Sequence, residues 1–205
     1  MAGLEELKMY SDFKSPYAFL AFKPFYELAN DFAIHPRWIP FQLRIKGKGQ
    51  RSVYSEYKVK YSYMDARRSA NMDGGLMLRG PLKIFDTTPA LIGGLFAQLQ
   101  GRDMDYGLKA FELFFCREFA ADEVDATADL IASLGMSAED YRAFYDGPGK
   151  DAYEACQEEA SQDHIFGVPM FILRGEQFWG HDRLDMLRHR LRDLGLEKSA
   201  VAATA

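Results

Sequence analysis

The sequence predicts an α/β protein in which a β-α-β unit and a later β-β-α unit flank a large all-helical insertion. Three observations carry that reading. Apolar runs of strand length stand at residues 7–10 and 36–40 and again at 168–173. From about Val53 to His164 the apolar residues recur every three or four positions, the period of a helix. After a short hairpin pattern, residues 182–194 return to helical spacing.

Taken in order, residues 7–10 form a strand after a charged start, and Ser11-Asp12-Phe13-Lys14-Ser15-Pro16 reads as the loop into a helix. Proline is tolerated in a first helical turn because the amide proton it lacks has no helical partner there. Pro16 therefore sets Ser15 just ahead of the helix, at the N-cap. Tyr17, Leu20, Ala21, Leu28 and Phe32 keep the helical period, and Pro24 is expected to kink this helix without ending it. The strand at 36–40 then lies parallel to the first through a right-handed crossover.

Within the insertion, Tyr54, Tyr57, Tyr61 and Met64, then Leu91, Leu95, Phe96 and Leu99, then Phe111, Phe114 and Phe115 mark successive helices. Thr88 before Pro89 is a helix start, and Ser137 followed by Asp140 resembles a capping box. Gly93-Gly94 falls inside a helical pattern and marks close helix packing. Asp182 opens the last helix, whose apolar face is Leu184, Leu187, Leu191 and Leu194, and Gly195 ends it. This order is that of a thioredoxin-like fold, with a thioredoxin-like domain over 1–47 and 165–205 and a helical insertion domain over 48–164.

Composition narrows the function. The 205 residues carry 25 Lys plus Arg against 30 Asp plus Glu, a net charge of -5, so no nucleic-acid partner is expected. The basic cluster Arg44, Lys46, Lys48 and Arg51 reads as a solvated loop or as a contact for a small anion. No apolar stretch approaches the roughly 20 residues of a membrane helix, and no secretory leader pattern is present. Cys116 and Cys156 offer neither a disulfide framework nor metal-ligand spacing, which makes a cytoplasmic location the expectation. His35, His164, His181 and His189 share no zinc spacing, and no metal site is expected. Phosphate-binding glycine loops and a serine-hydrolase elbow are also missing.

Three segments carry candidate chemistry: Asp12-Phe13-Lys14-Ser15-Pro16-Tyr17, Gly167-Val168-Pro169 and Phe178-Trp179-Gly180-His181-Asp182-Arg183-Leu184. A helix N-terminus favours a nearby anion, and a hydroxyl just ahead of it can donate a hydrogen bond to a thiolate brought by a ligand. Ser15 reads in that way, and also as a plain N-cap.

The first segment resembles the S-P-Y motif of kappa-class glutathione transferases and of 2-hydroxychromene-2-carboxylate isomerases, within the wider DsbA-like group. DsbA-like oxidases carry C-x-x-C where this chain has Ser15, Pro16, Tyr17 and Ala18. The second segment resembles the cis-proline loop of thioredoxin-like proteins, and the third the G-x-D-R turn of the same families, with His181 where serine is frequent. The resemblance spans residues 7–194. Lys60, Tyr61, Asp65 and Arg67 add a likeness to the isomerase group.

The resemblance implies a glutathione-dependent isomerase or transferase acting on an aromatic, anionic electrophile, in aromatic-compound breakdown, with glutathione as cofactor. It implies that Ser15 stabilises the glutathione thiolate and that Val168 and Pro169 receive the cysteinyl backbone. Asp182 would pair with the γ-glutamyl ammonium, beside His181. Gln50 stands where relatives carry asparagine, and Lys60 faces a carboxylate or solvent. Phe13 and Tyr17, with aromatic residues of the insertion, would line the substrate pocket, where Lys48 or Lys60 meets the anionic group. Relatives of this kind form homodimers. Two other readings stay open at this level. One is a non-catalytic module that binds glutathione or a peptide; the other, disfavoured by the placement of Cys116 and Cys156, is a DsbA-type protein disulfide oxidoreductase.

Overall fold

A computed structural model describes residues 4–44, 53–72 and 75–198 of the chain. The sheet has four strands in the order β2-β1-β3-β4. β1 (Glu5–Ser11) pairs in parallel with β2 (Ile34–Pro40), from Glu5 opposite Ile34 to Ser11 opposite Pro40. On its other side β1 is antiparallel to β3 (Met170–Leu173), which forms a hairpin with β4 (Glu176–Trp179). Both parallel strands begin two residues before their apolar runs. Main-chain pairing sets their ends, and it accepts charged side chains such as Glu6 and His35 on a rim where they reach solvent. Pro36 is accommodated because β2 is an edge strand. The hairpin turns on Arg174 and Gly175, both at positive φ (51° and 81°), as a two-residue loop of this hand requires.

The crossover between the parallel strands is α1 (Pro16–Asp31), which runs unbroken through Pro24. It is buried on two sides. Phe25 meets Phe171 of β3 at a ring distance of 5.9 Å, while Phe22 packs edge-on to Trp38 of β2 at 5.1 Å. Six helices among the described residues stand between β2 and β3: α2 (Val53–Met72), α3 (Thr88–Leu99), α4 (Asp103–Cys116), α5 (Val124–Ser133), α6 (Ala138–Asp146) and α7 (Pro148–Gln162). Ser137 caps α6, its hydroxyl oxygen accepting the Asp140 amide at 3.1 Å. α7 is held to the edge of the sheet where Arg37 donates twice to Glu159, each at 2.7 Å, and Lys8 pairs with Asp163 at 2.8 Å.

The C-terminal helix departs from expectation. Asp182 lies in a 3-10 turn (His181–Arg183), and α8 (Leu184–Asp193) starts after it, because Gly180 at φ 113° turns the chain one step before a full helical turn can form. Leu187 and Leu191 are the fully buried residues of its inner face.

α3 is the centre of the helical part, and its glycines explain how closely its neighbours pack. A Cβ on Gly94 would stand 2.6 Å from Cζ3 of Trp38, and one on Gly93 would stand 2.6 Å from Cγ2 of Thr127. The indole of Trp38 is fixed by donating to the Ser11 hydroxyl at 2.8 Å, so it has no room to give. Gly94→Ala is expected to lower stability by about 2 kcal/mol, seen as a reduced urea midpoint with an unchanged slope. An unaltered midpoint would mean that Trp38 is free to move.

Candidate active site

The site begins where β1 ends. Asp12 is fully buried, and its carboxylate gathers donors from three parts of the chain. Oδ1 accepts the Lys14 amide at 3.0 Å and the Thr87 hydroxyl at 2.8 Å. Oδ2 accepts the Leu43 amide at 2.6 Å and faces the Lys14 ammonium at 3.1 Å. Burial pushes the Asp12 carboxyl up from its ordinary value, against the opposing pull of the Lys14 charge and these hydrogen bonds. The Lys14 side chain is itself only 6% exposed.

Three residues after Asp12, Ser15 caps α1. Its hydroxyl oxygen accepts the Ala18 amide at 3.2 Å, and the hydroxyl donates to the Val168 carbonyl at 3.2 Å, across a gap of 153 residues in sequence. The Val168–Pro169 peptide is cis, and the Pro169 carbonyl accepts the Gly180 amide at 3.0 Å. The start of α1, the cis-proline loop and the Gly180 turn are thereby contiguous. Tyr17 joins them. Its ring stacks on His181 at 4.9 Å, and its hydroxyl donates to Asp65 of α2 at 2.8 Å. Burial and then the Asp65 carboxylate push the Tyr17 phenol up, so it is a protonated donor at neutral pH.

These residues face a cavity of about 660 Å³. Ser15, Gly167 and Val168 line it together with Tyr17 of α1, Val59 and Tyr63 of α2, the 81–84 segment and the aromatic pair Phe166 and Trp179. That pair meets edge-on at 5.0 Å. Three lysines, Lys14, Lys58 and Lys83, are among the lining residues, with no aspartate or glutamate among the described residues of the lining. Lys58 stands 5.9 Å from the Trp179 ring centre, and Lys83 pairs with Asp122 at 2.6 Å. A largely apolar chamber with lysines and no acidic residue in its lining suits a ligand with an apolar body and negative charge.

The placement of the expected residues is uneven. Ser15, Tyr17 and Val168 meet on the cavity wall, with Pro169 directly behind Val168 and His181 stacked on Tyr17. Asp182 is exposed and away from the lining, its carboxylate taken by Arg183 at 2.7 Å. Phe13 is corrected outright: it is fully buried, with its ring 4.8 Å from Phe111 and 5.8 Å from Trp38, and it belongs to the core rather than the substrate pocket. The strand-to-helix loop turns between Phe13 and Ser15, so these neighbours point opposite ways. Of the two places left open for Lys60, the structure gives solvent: it is exposed and off the cavity, because on α2 the cavity-lining positions are 58, 59, 62 and 63, and residue 60 lies about 200° around the helix from 58. Lys48 and Gln50 lie outside the described residues. Among the cavity residues to which sequence reasoning gave no role are Lys14, Lys58, Lys83 and Trp179, of which Lys14 and Trp179 stood inside candidate segments. Helical phase was a signal for Lys58, as was adjacency to Ser15 for Lys14; nothing local marks Lys83.

Fold and site together define a thioredoxin-fold protein that has a hydroxyl where redox relatives have a sulfur. The model of the DSBA-like thioredoxin domain matches residues 6–192, and the chain belongs to that family. Among curated relatives, a 2-hydroxychromene-2-carboxylate isomerase of Pseudomonas putida is 26% identical over 186 residues, covering 87% of this chain and 90% of that protein. One from Pseudomonas sp. (strain C18) is 27% identical over 191 residues, covering 88% and 87%. Among solved structures, an isomerase of that name superposes with a TM-score of 0.79 at 23% identity, covering 93% of this chain and 96% of the other. A probable DsbA oxidoreductase from Streptomyces coelicolor gives 0.76 at 18% identity, covering 98% and 94%. At these identities the structural likeness concerns the fold. No helix among the described residues is long and apolar enough to cross a membrane.

The Asp12 cluster carries its own test. Asp12→Ala leaves Lys14 buried without its carboxylate and is expected to cost about 3–5 kcal/mol in chemical denaturation. Adding Lys14→Met to that variant is expected to restore part of the loss, because the orphaned charge goes with it. No recovery in the double variant would mean that the cost lies in the Thr87 and Leu43 hydrogen bonds.

Proposed function

We propose that the chain is a glutathione-dependent isomerase acting on an aromatic, anionic electrophile, of the kind named in its relatives, with group transfer as the variant outcome. One observation carries the reading: Ser15, at the start of α1 with its hydroxyl on the Val168 carbonyl, lines a largely apolar cavity whose wall includes three lysines and no acidic residue among those described. The residues around this cavity suit the tripeptide. Val168 lies at the cavity wall, where its backbone can pair with an extended peptide, and the start of α1 beside Ser15 favours a ligand thiolate over the thiol. Glutathione bound there would supply the sulfur nucleophile that the loop from Ser15 to Ala18 lacks.

What the protein's own groups do follows from their hydrogen bonds. The Ser15 proton is directed at the Val168 carbonyl. A peptide amide that donates to this carbonyl relieves Ser15 of that partner, and its hydroxyl then turns toward a sulfur held beside it. The Ala18 amide keeps the oxygen in place meanwhile. Phe166, Trp179 and Tyr63 give the aromatic body of the substrate its walls, and Lys58 lies beside them for its anionic group.

The occupied Ser15 hydroxyl also favours a second reading, a binding module in which Ser15 is only a cap. The two separate in one experiment. Wild-type protein with 2-hydroxychromene-2-carboxylate is expected to isomerise it only when glutathione is present, and to show ultraviolet thiolate absorbance from bound glutathione at neutral pH. Ser15→Ala is expected to lower kcat about a hundredfold while glutathione affinity changes less than about threefold. Unchanged turnover in that variant, or bound glutathione that stays a thiol, leaves the binding module as the better account.

Disulfide chemistry is a poor alternative because the loop from Ser15 to Ala18 holds no cysteine. Of the two thiols elsewhere, Cys156 is buried on α7, and burial, then the Glu159 charge, pushes it up to about 11. At pH 8 roughly one such thiol in a thousand is ionised. Aromatic disulfide reagents are expected to label Cys116 first and Cys156 only as the protein unfolds. Rapid labelling of Cys156 in the native protein would reopen the redox reading.

A further inference from the structure

The cavity wall between α2 and α3 is held unevenly. Residues 78–80 are fastened to their surroundings. Arg67 and Arg117 donate through Nε to the Leu78 and Gly80 carbonyls at 3.0 and 2.9 Å, and the Arg79 amide donates to the Phe115 carbonyl at 2.9 Å. Residues 85–87 are fastened as well. The Phe85 ring lies 5.3 Å from that of Phe114, Asp86 accepts from Gln42 at 2.7 Å, and Thr87 donates to Asp12. Between these anchors run Pro81, Leu82, Lys83 and Ile84, and all four line the cavity. Among the described residues this stretch makes no main-chain hydrogen bond, and its one ion pair is that of Lys83 with Asp122 at 2.6 Å. Lys83 otherwise lies over the Phe85 ring, 4.7 Å from its centre. Its side chain is 58% exposed, so the pair with Asp122 is a weak tie. Leu82 is 80% exposed and Ile84 44%, and two more exposed apolar residues, Phe166 and Trp179, line the same cavity. A segment fixed at both ends, weakly tied between them and carrying apolar side chains in water gains by moving onto an apolar ligand.

We propose that residues 81–84 are a strap that closes over a ligand in the cavity, and that the Lys83–Asp122 pair belongs to its open position. Closing brings Leu82 and Ile84 onto the ligand and draws Lys83 off Asp122. One exposed ion pair is exchanged for buried apolar surface, and a ligand without an apolar body gives no such return. The inference rests on the reading of this cavity as a small-molecule site and requires neither glutathione nor a particular reaction. In the proposed isomerase the strap would exclude water from the reacting centre and set the rate of product release.

The test uses the full chain and the fluorescent anion 8-anilinonaphthalene-1-sulfonate, mixed by stopped flow. Binding is read from probe emission and from quenching of Trp179, which lines the cavity while Trp38 is buried in the core. Wild-type protein is expected to show an encounter phase that depends on probe concentration, then a first-order phase as the strap closes. Leu82→Ser with Ile84→Ser is expected to lose the second phase and to release the probe at least about fivefold faster, with the encounter rate changed less than about twofold. Lys83→Ala and Asp122→Ala are each expected to slow release about two- to fivefold, because both remove the open-state pair. Simple charge attraction predicts opposite signs for these two variants with an anionic probe, so they separate a latch from an electrostatic effect. Trypsin cleavage after Lys83, located by mass spectrometry, is expected to slow at least about tenfold at saturating probe. Single-phase binding, unprotected cleavage, unchanged release in the double serine variant, or opposite shifts in the two latch variants overturns the strap. So does a probe that does not bind. Glutathione is titrated separately by calorimetry: failure there removes the proposed cofactor and leaves the probe kinetics standing.

Discussion

The buried carboxylate of Asp12 is the interaction on which the arrangement of the site depends. A carboxylate loses a large hydration energy on burial, and only a full set of donors offsets it. Here the donors come from the loop into α1, from Leu43 just beyond β2 and from Thr87 at the start of α3. Each of these segments enters the site region from a different part of the chain. Satisfying one carboxylate forces all of them to converge, and that convergence sets the position of Ser15. The same carboxylate keeps the Lys14 ammonium inside the protein. Electrostatics and geometry therefore have a single origin.

Across the cavity, the cis-proline loop is placed by the sheet. β3 pairs with the central strand β1, so Val168, just ahead of β3, arrives opposite the residue that follows the end of β1 by a few positions. The Gly180 amide, bonded to the Pro169 carbonyl, ties the end of β4 to the same place. Three chain segments that are far apart in sequence meet because two adjacent strands deliver their ends to one edge of the sheet. The helical insertion then supplies the remaining wall, through α2 and the 81–84 segment. Architecture fixes the chemical end of the site, whereas the shape of the substrate chamber is left to the insertion.

This division explains what was legible in the sequence. Strand and helix order followed from periodicity, and the segment around Ser15, the Val168-Pro169 pair and the Gly180 turn were visible as short motifs through their likeness to those of known families. Gly93-Gly94 was legible too, since two glycines in a helical pattern have few explanations other than close packing, here against Trp38 and Thr127. Phe13 was misplaced because a loop between strand and helix has no fixed period, so nothing in its spacing says which side a residue takes. Lys60 was singled out on motif likeness, whereas Lys58, more than half a turn away on the helix, was not, and it is Lys58 that lines the cavity. Lys14 carries a charge that ordinarily marks a solvated position. Only the contacts of Asp12 reveal that it is buried.

Exchanging a sulfur for a hydroxyl at the head of α1 changes more than nucleophilicity. A serine at an N-cap is held on both sides, by the amide it accepts and by whatever it donates to. In this protein the second partner is the Val168 carbonyl, the group that an incoming peptide backbone would engage. In the proposed reading, occupancy of the peptide site and availability of the Ser15 proton are linked, because a second donor on the Val168 carbonyl weakens its bond to Ser15. A cysteine at that position would carry its own reactivity with or without a ligand. The serine becomes available to a ligand's sulfur when the ligand's own backbone takes its partner away, and this ties activation to correct docking.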